Sequence, residues 1–394
     1  MSLAHHRLSA LALVSVLMVS VPACVGAPAS TATEPATGQT AVSTVAATQV
    51  EPAAAARGLG QLAPDDRIQR ITLVAGGDIL VHRAVWESAL EHGGGVGFDF
   101  VPLFERVAPV IASADVALCH LEVPLSLDNA RLEAYPRFSA PFELADAIAA
   151  AGYDGCSVAS NHVLDQGVDG IDATLAHLDR VGLGHAGAAR TPDEAAEITR
   201  YEVRGRTVAH LSYTYGFNGL RRPTGEEWRA SLIDPAAILA DAARARQGGA
   251  DLVLVSLHWG DEYVHAPSRY QIDVAAAVAP SPDVDLVIGH HAHVVQPVMQ
   301  VGDTWVAYGL GNQVSNMLQP ERRDGALLWV TFEAAPGEPF VATSLEYLPT
   351  WVELPGHRVV VAVDDSWART SAELGAGGAP LRPMTRHEVV GVPQ

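Results

Sequence analysis

Five segments of this chain end a predicted strand with side chains of the kinds that bind metals. They are GGDILVH (76–82), HLE (120–122), SNHVLDQG (160–167), LHWGDEY (257–263) and IGHHAHVVQ (288–296). In open α/β sheets, ligands bind in the loops beyond the carboxyl ends of the strands. If the five strands are neighbours, their ends meet at one edge. The pattern therefore predicts a single metal site and restricts the chain to folds in which these strands lie side by side.

The strands themselves are short, continuous apolar runs, which are typical of strands covered on both faces. These runs occupy 71–77, 115–121, 153–160, 206–213, 251–259 and 283–290. Alanine-rich amphipathic stretches lie between several of them, at 142–152, 168–182 and 235–249. Strands that alternate with helices of this length predict βαβ units with right-handed crossovers, and hence an α/β fold.

The pattern changes toward the C-terminus, where the strands have no room for helices between them. Three such segments lie at 303–312, 325–334 and 343–354. We expect them to form antiparallel strands in a second sheet that packs on the first. Residues 357–363 are predicted to form a last strand.

Charge and composition exclude several classes of function. The formal net charge of −20 argues against nucleic acid or an anionic membrane surface as a partner, since both require a basic surface. All 25 basic residues are arginine. The absence of lysine excludes a Walker-type ATP site and a Schiff-base mechanism. With 394 residues, the chain is long enough for one large domain or two ordinary ones.

Residues 1–24 are predicted to be a signal peptide of the lipoprotein type. Arg7 precedes an apolar run (8–21) that is too short for a free-standing membrane span. The run ends in VPAC (21–24), which resembles the bacterial lipoprotein box. We therefore predict a lipid anchor at Cys24, on the outer face of the cytoplasmic membrane. The alternatives are ordinary cleavage after Ala29, which gives a secreted protein, and an uncleaved anchor helix. Each places the folded part outside the cytoplasm.

Residues 25–65 are rich in alanine, threonine and proline and have few bulky apolar side chains. Such a segment buries too little surface to offset the entropy of ordering, so we predict a disordered tether.

Two cysteines remain if Cys24 is lipidated. Cys119 and Cys156 lie late in predicted strands that should be neighbours. An exported protein can form a disulfide there. We favour two buried thiols, because cysteine is commonly buried as a small hydrophobic residue.

The candidate ligands are two carboxylates and several imidazoles at the strand ends. His291 and His293, two residues apart beyond a strand, can reach two adjacent metals. Asp78 follows two glycines that let the backbone approach an ion, although an aspartate here is also a common turn former or helix cap. Glu122 has the reach to bridge two cations; the alternative is a solvated loop carboxylate. His258 ends an apolar strand and is a further ligand.

The remaining candidates lie beside these ligands. Asn161 offers a neutral amide oxygen, and its neighbour His162 points elsewhere. For Asp165 we favour a cap of the next helix over a role in the site. His290 is expected at the surface or behind the ligands, and Glu262 is expected to line a substrate cleft. A mixed oxygen and nitrogen set without thiolate suits Mn²⁺, Fe or Zn²⁺, as one or two divalent ions.

The motifs GDILVHR, HLE, SNHVLDQG, SLHWGDEY, IGHHAHVVQ and YGLGN occur in this order over about residues 70–355. Together they resemble the CapA family of capsule and poly-γ-glutamate synthesis proteins, a branch of the calcineurin-like metallophosphoesterases. The resemblance implies two packed mixed β-sheets flanked by helices, in a four-layer αββα order. It places the family domain at 66–355, followed by a C-terminal extension at 356–394.

The resemblance also assigns roles to individual residues. It makes Asp78 and His293 ligands of a first metal and Glu122 the bridge between two metals. A second metal would be bound by Asn161, His258 and His291. His162 matches the acid that protonates the leaving group.

The first motif differs from that of the wider superfamily, and Asn312 is not assigned a single role. The superfamily has Asp-x-His at the first motif. Here Leu80 fills the place of that histidine and His82 comes four residues after Asp78, so the first ligand set departs from the pattern. Asn312 of YGLGN is placed behind the ligands or in the cleft.

The function implied is that of an exported metal-dependent hydrolase. Its partner would be a cell-envelope polymer or a precursor, in capsule or polyglutamate synthesis, export or anchoring. One alternative is a general phosphomonoesterase or phosphodiesterase. Another is a non-catalytic envelope scaffold with a structural metal site.

Overall fold

The computed structural model of the protein describes residues 68–384. The predicted signal peptide (1–24) with its anchor at Cys24, the alternative cleavage at Ala29 and the tether (25–65) lie outside these residues. Within the described range, no helix is long and apolar enough to cross a membrane.

The described residues form fifteen strands and nine α-helices. The strands are β1 (Gln69–Ile79), β2 (Val116–Leu121), β3 (Gly155–Ser157), β4 (Gly184–Ala186), β5 (Thr199–Val203), β6 (Arg206–Thr214), β7 (Leu252–His258), β8 (Leu286–His290), β9 (Val298–Val301), β10 (Thr304–Ala307), β11 (Asn312–Val314), β12 (Asp324–Ala334), β13 (Val341–Glu353), β14 (Arg358–Val361) and β15 (Leu381–Pro383). The helices are α1 (Arg83–His92), α2 (Val101–Phe104), α3 (Ala108–Ile111), α4 (Leu144–Ala150), α5 (Gly167–Arg180), α6 (Pro192–Ala196), α7 (Pro235–Gln247), α8 (Arg269–Val278) and α9 (Asp364–Gly375).

The strands form two mixed sheets. The first has the order β14-β13-β12-β1-β2-β3-β4, with β11 beside β1 and β15 beside β13. The second has the order β5-β6-β7-β8-β10-β9. The strands β1 to β4 are parallel to one another, and so are β6, β7, β8 and β10. These two parallel halves carry the segments that end in candidate ligands.

Three apolar cores separate four layers. The middle core lies between the sheets, where Leu73 and Ala75 of β1 join a cluster with Leu254 of β7 and Ile288 of β8. Val74, between the first two, points to the opposite face of its sheet. This alternation is the period of two that a strand imposes on its side chains. The strands are therefore covered on both faces, as their continuous apolar runs predicted.

The two outer cores join the sheets to their helices. On the first sheet, Val74 and Ala117 lie in one cluster with Leu175 of α5. On the second, Val253 of β7 lies in a cluster with Ile238 of α7 and residues of α8. The predicted four-layer αββα order is confirmed.

One prediction about the sheets was wrong. The segments at 325–334 and 343–354 form β12 and β13, which are antiparallel as expected but extend the first sheet beside β1. The second sheet is instead built from the earlier runs that form β6, β7 and β8. Apolar periodicity specifies that a strand is buried but not which open edge it pairs with, because both edges offer the same backbone groups.

The C-terminal residues of the described range belong to the first sheet. β14 pairs with β13, β15 also pairs with β13, and α9 packs nearby. The described part of the predicted extension (356–394) therefore lies against the family domain.

Cys119 and Cys156 occupy facing positions in β2 and β3 and are joined by a disulfide, with Cα atoms 4.5 Å apart. The expectation of two buried thiols was wrong. Facing positions on paired strands bring the two Cα atoms within the distance that a disulfide requires.

Candidate metal centre

The candidate site lies where the middle core reaches the carboxyl ends of the strands. In β2, Leu118 faces the second sheet, and His120 follows on the same face two residues later. In β8, His290 follows Ile288 in the same way. Since strand side chains alternate between the two faces, polar side chains replace apolar ones at the end of the same layer. The candidate ligands therefore converge between the sheets.

Asp78 joins them because β1 contains a bulge. Ala75 pairs with Leu118 and Asp78 pairs with His120, so three steps on β1 match two steps on β2. An extra residue of this kind reverses the alternation and aims the following side chain at the other face. A side chain at Gly77 would come within 2.3 Å of a backbone oxygen of the facing loop, so this position requires glycine.

Six buried side chains form two clusters, in each of which the potential ligand atoms lie within 4.8 Å of one another. The hydrogen-bonded cluster consists of Asp78, His120 and His290. The open cluster consists of Glu122, His291 and His293.

The atoms of the hydrogen-bonded cluster have partners within the protein. Nδ1 of His290 lies 3.2 Å from Oδ1 of Asp78, whose Oδ2 accepts from the backbone N–H of His291 at 3.1 Å. Nε2 of His120 lies 2.9 Å from Nδ1 of His258, and its other ring nitrogen lies 2.8 Å from a serine hydroxyl of β3. The rings of His120 and His290 also stack, with centroids 4.1 Å apart.

Two of the three members of the open cluster have ligand atoms without such partners. Both carboxylate oxygens of Glu122 and Nδ1 of His291 are buried without a hydrogen-bond partner among residues 68–384. Oε1 of Glu122 comes nearest to Nε2 of His293, at 3.5 Å, which is too long for a hydrogen bond. A buried carboxylate without a partner is costly. Among residues 68–384, the carboxylate of Glu122 is therefore left without a hydrogen-bond donor, beside the imidazole of His293.

The two carboxylates have opposite pKa shifts. Burial raises the pKa of Glu122 to about 7. Burial also acts to raise the pKa of Asp78, but the hydrogen bonds from His290 and His293 outweigh it and hold that pKa below its usual range. The contrast follows from the hydrogen bonds that Asp78 has and Glu122 lacks.

Most of the imidazoles are held neutral. Burial lowers the pKa of His291 to about 3, and it lowers the pKa values of His120 and His258 well below the usual range. Burial also acts to lower the pKa of His293, but Glu122 and Asp78 outweigh it and raise that pKa to about 10. Neutral imidazole is the form that binds metals.

Asn161 and His258 lie beside the two clusters. Oδ1 of Asn161 is 3.0 Å from Nε2 of His258. The ring of His258 in turn lies 4.6 Å from that of His291. The structure thus brings His258 into contact with both clusters, through His120 and His291, and Asn161 into contact with His258.

His162 and Asp165 form a buried pair beside the open cluster. Nδ1 of His162 lies 2.7 Å from Oδ2 of Asp165, which also accepts from the backbone N–H of Phe138 at 2.7 Å. The Phe138 ring packs edge-on against the imidazole. The favoured interpretation of Asp165 as a helix cap was wrong, because α5 begins later, at Gly167, and has no side-chain cap. Asp165 instead fixes the orientation of His162.

Three other predicted residues take different places. His290 is buried, with 3% of its surface exposed, so of its two expected places the surface is excluded. Asn312 lies behind His293, with Oδ1 3.0 Å from Nδ1 of that ring. His82 is partly buried at the start of α1, where its Nδ1 accepts from the backbone N–H of Asn316. Burial lowers the pKa of His82 to about 4.

Two tyrosines lie at the mouth of the site, and the sequence did not single out the first of them. Tyr215, at the end of β6, places its ring 4.6 Å from that of His291. The ring of Tyr263 lies 6.1 Å from that of His293, next to the exposed, predicted cleft residue Glu262.

His120 was also missed as a ligand. Its signal was present in the sequence: it lies two residues before Glu122 at a strand end, so both side chains belong to the same face.

The donor set fits a divalent transition ion. It combines carboxylates, neutral imidazoles and one amide, without thiolate, as such ions prefer. The unpartnered oxygens of Glu122 and Nδ1 of His291 are ligand atoms left free by the protein. Both clusters are thus compatible with a divalent metal site.

A model of the family described as "Bacterial capsule synthesis protein PGA_cap" matches residues 72–317. The chain belongs to this family. The match confirms the resemblance drawn from the motifs. It includes Asp78, Glu122, the His162 segment and the histidines of β7 and β8.

Curated relatives include the capsule biosynthesis protein CapA of Bacillus anthracis, which is 29% identical over 66% of this chain and 63% of its own length. The PGA biosynthesis protein CapA of Bacillus subtilis is 28% identical over 64% of this chain and 65% of its own length. The chain thus spans somewhat under two thirds of each of these relatives. A probable polyglutamine synthesis accessory protein of Mycobacterium tuberculosis is 24% identical over 80% of this chain and 94% of its own length.

Solved structures with a similar chain trace include calcineurin-like phosphoesterases. A putative 5'-nucleotidase from Staphylococcus aureus is 14% identical, with a TM-score of 0.45 over 75% of this chain and 55% of that one. A calcineurin-like phosphoesterase from Bacillus subtilis is 13% identical, with a TM-score of 0.43 over 78% of this chain and 96% of that one.

Proposed function

We propose that this chain is a metal-dependent hydrolase that acts on a cell-envelope polymer or its precursor, in capsule or poly-γ-glutamate synthesis, export or anchoring. The observation that carries the proposal is the open cluster. It leaves a buried carboxylate and a buried imidazole without partners, directly beside an oriented histidine. The names of the relatives, which refer to capsule and PGA biosynthesis, support the choice of polymer.

The residues that would hold one or two divalent ions, Mn²⁺, Fe or Zn²⁺, are those of the two clusters together with Asn161 and His258. When bound, such ions act as Lewis acids on the substrate and make water a better nucleophile at neutral pH. The neutral imidazoles of His120, His258 and His291 are already in the protonation state that this binding requires. These three imidazoles would not have to lose a proton before an ion binds.

His162 is the proposed general acid. A carboxylate only accepts hydrogen bonds, so Nδ1 of His162 carries the proton in its contact with Asp165. This leaves Nε2 to deliver a proton to the leaving group. Phe138 covers the imidazole from one side and limits its rotation. Asp165 and Phe138 thus hold the acid in one orientation, which acid catalysis requires.

The proposal places the protein outside the cytoplasm, anchored through a lipid at Cys24 or secreted. In the anchored case, Cys24→Ser should move the full-length protein from the membrane fraction to the soluble fraction without loss of fold. Wild-type protein found only in the soluble fraction would favour cleavage after Ala29 instead.

One screen tests the activity. Purified protein, loaded in turn with Mn²⁺, Fe²⁺ and Zn²⁺, is assayed against aryl phosphates, aryl phosphodiesters and poly-γ-glutamate. We expect metal-dependent cleavage of an envelope-type polymer that Glu122→Gln abolishes. Cleavage of aryl phosphates alone would indicate a general phosphoesterase. Metal binding without turnover on any substrate would indicate a scaffold and contradict the proposal.

A further inference from the structure

Arg322 is fixed at the mouth of the open cluster by two contacts. The carbon at the centre of its guanidinium lies 3.5 Å from the ring centre of Tyr263, and that ring lies 6.1 Å from His293. Its backbone oxygen accepts a hydrogen bond at 2.8 Å from Asn312, whose Oδ1 contacts His293. Both contacts lead, through Tyr263 and Asn312, to His293, so Arg322 has a defined place at the mouth of the open cluster.

In the part of the chain that the structure describes, the charge of Arg322 has no counterion. No carboxylate lies within ion-pair distance of it among residues 68–384, and its Nε is buried without a hydrogen-bond partner. The next residue, Arg323, differs: it stacks on Trp351 and donates to the backbone oxygen of Val352 at 2.9 Å. Leaving a buried donor unpaired is costly. In a chain with a net charge of −20, an unpaired guanidinium beside ligand atoms indicates a binding function.

One negative side chain lies at the same mouth. Glu262 is exposed and hydrogen-bonds the side chain of Tyr263, the residue that supports Arg322. An anion that approaches the centre therefore meets an attractive charge at Arg322 and a repulsive one at Glu262. The two residues should affect anion binding with opposite signs.

We propose that Arg322 binds an oxyanion of the substrate, a carboxylate or a phosphate, that lies next to the group positioned at the metal centre. The inference rests on the proposed function and specifies its substrate as one that carries negative charge beside the bond that is cleaved. The planar guanidinium can pair with both oxygens of such a group at once. It also offsets the repulsion that a strongly acidic protein exerts on an anionic polymer.

The test measures binding, so it does not depend on turnover. Three fluorescent probes are compared by anisotropy on the full-length, metal-loaded protein: oligo-γ-glutamate, oligophosphate and an uncharged oligoglutamine. We expect Arg322→Gln to weaken binding of at least one anionic probe about tenfold, the effect of losing a charge-assisted hydrogen-bonded pair. Glu262→Gln should strengthen the same probe. Oligoglutamine binding should not change.

The matched control is Arg269→Gln. This arginine lies in α8, is 85% exposed and pairs only with Asp273 in its own helix, so its removal changes net charge equally. It should leave all three probes unaffected. A change of the same size in this control would show that the effect of Arg322→Gln comes from net charge alone, which would overturn the proposal. Unchanged binding of both anionic probes in Arg322→Gln would also overturn it.

A second variant covers the case in which Arg322→Gln does not fold. Arg322→Lys keeps the charge and loses the planar fork, so anionic probes should bind at least about threefold more weakly. Wild-type affinity in that variant would overturn the proposal. The probe that responds shows whether the oxyanion is a carboxylate or a phosphate. Arg322-dependent binding without any hydrolysis would refute the proposed hydrolase while leaving this inference intact.

Discussion

The two ligand clusters lie side by side between the same two sheets, yet the protein supports them differently. The hydrogen-bonded cluster is carried by strands, since Asp78, His120 and His290 all lie within β1, β2 and β8. In the open cluster, two of the three members follow β8 in a loop. His291 and His293 there have φ values of 89° and 54°, which non-glycine residues rarely adopt.

This difference predicts which cluster binds an ion more tightly. In the first cluster, Asp78 hydrogen-bonds His290, and a further contact joins Asp78 to His293 of the open cluster. In the second, a strained loop and an unpartnered buried carboxylate persist together, and such features cluster at functional sites. A cation between Glu122 and His291 would offset both costs. We therefore expect the open cluster to bind its ion more tightly than the hydrogen-bonded cluster.

The largest expected effect comes from removing one ligand of each cluster in turn. Glu122→Gln and His291→Ala should each lose about one ion per chain, and turnover should fall by more than about 10⁴-fold because Lewis acid and nucleophile are lost together. His120→Gln should keep the tightly bound ion. Metal analysis after dialysis and steady-state kinetics measure both quantities. Equal metal loss in all three variants would remove the distinction between the clusters.

The next effect concerns chemistry without metal loss. His162→Ala removes the oriented acid and no member of either cluster, so metal content should match the wild type. Turnover should fall by about 10²–10⁴-fold, the usual contribution of a positioned acid. The loss should shrink for substrates with a nitrophenolate leaving group, which needs no proton.

Two results would contradict this role for His162. Metal loss in His162→Ala would make the residue a ligand. Full activity on every substrate would make it structural. Asp165→Asn serves as a matched variant: it keeps the shape of the side chain and should reproduce part of the kinetic loss, because it no longer fixes the tautomer of His162.

The smallest effect, on stability, has opposite signs in the two clusters. In metal-free protein, Glu122→Gln should raise the free energy of unfolding by about 1–3 kcal/mol, since it removes a buried carboxylate that has no partner. Asp78→Asn should lower it by a similar amount, because it weakens hydrogen bonds to a buried acceptor. Urea unfolding in the presence of a chelator measures both. Destabilisation by Glu122→Gln under these conditions would show that the carboxylate is satisfied without an ion.

The sequence alone determined the strands that carry candidate ligands and three of the helices between them. Apolar runs and amphipathic stretches are local signals, and β1, β2, β6, β7 and β8 all lie at or near the predicted positions. The ordered motifs also identified the family. The convergence of the candidate ligands followed from one rule, that parallel strands end at one edge of a sheet. The alternation of side chains along a strand also placed His120 on the same face as Glu122.

Tertiary structure alone decided which strands pair and where several side chains point. β12 joined the first sheet because pairing depends on which distant edge is open. The bulge before Asp78 turned that side chain between the sheets, and the loop at Phe138 made Asp165 the partner of His162. Arg322 reached Tyr263 from a turn far along the chain. Such contacts join segments separated by many residues, and no local periodicity encodes them.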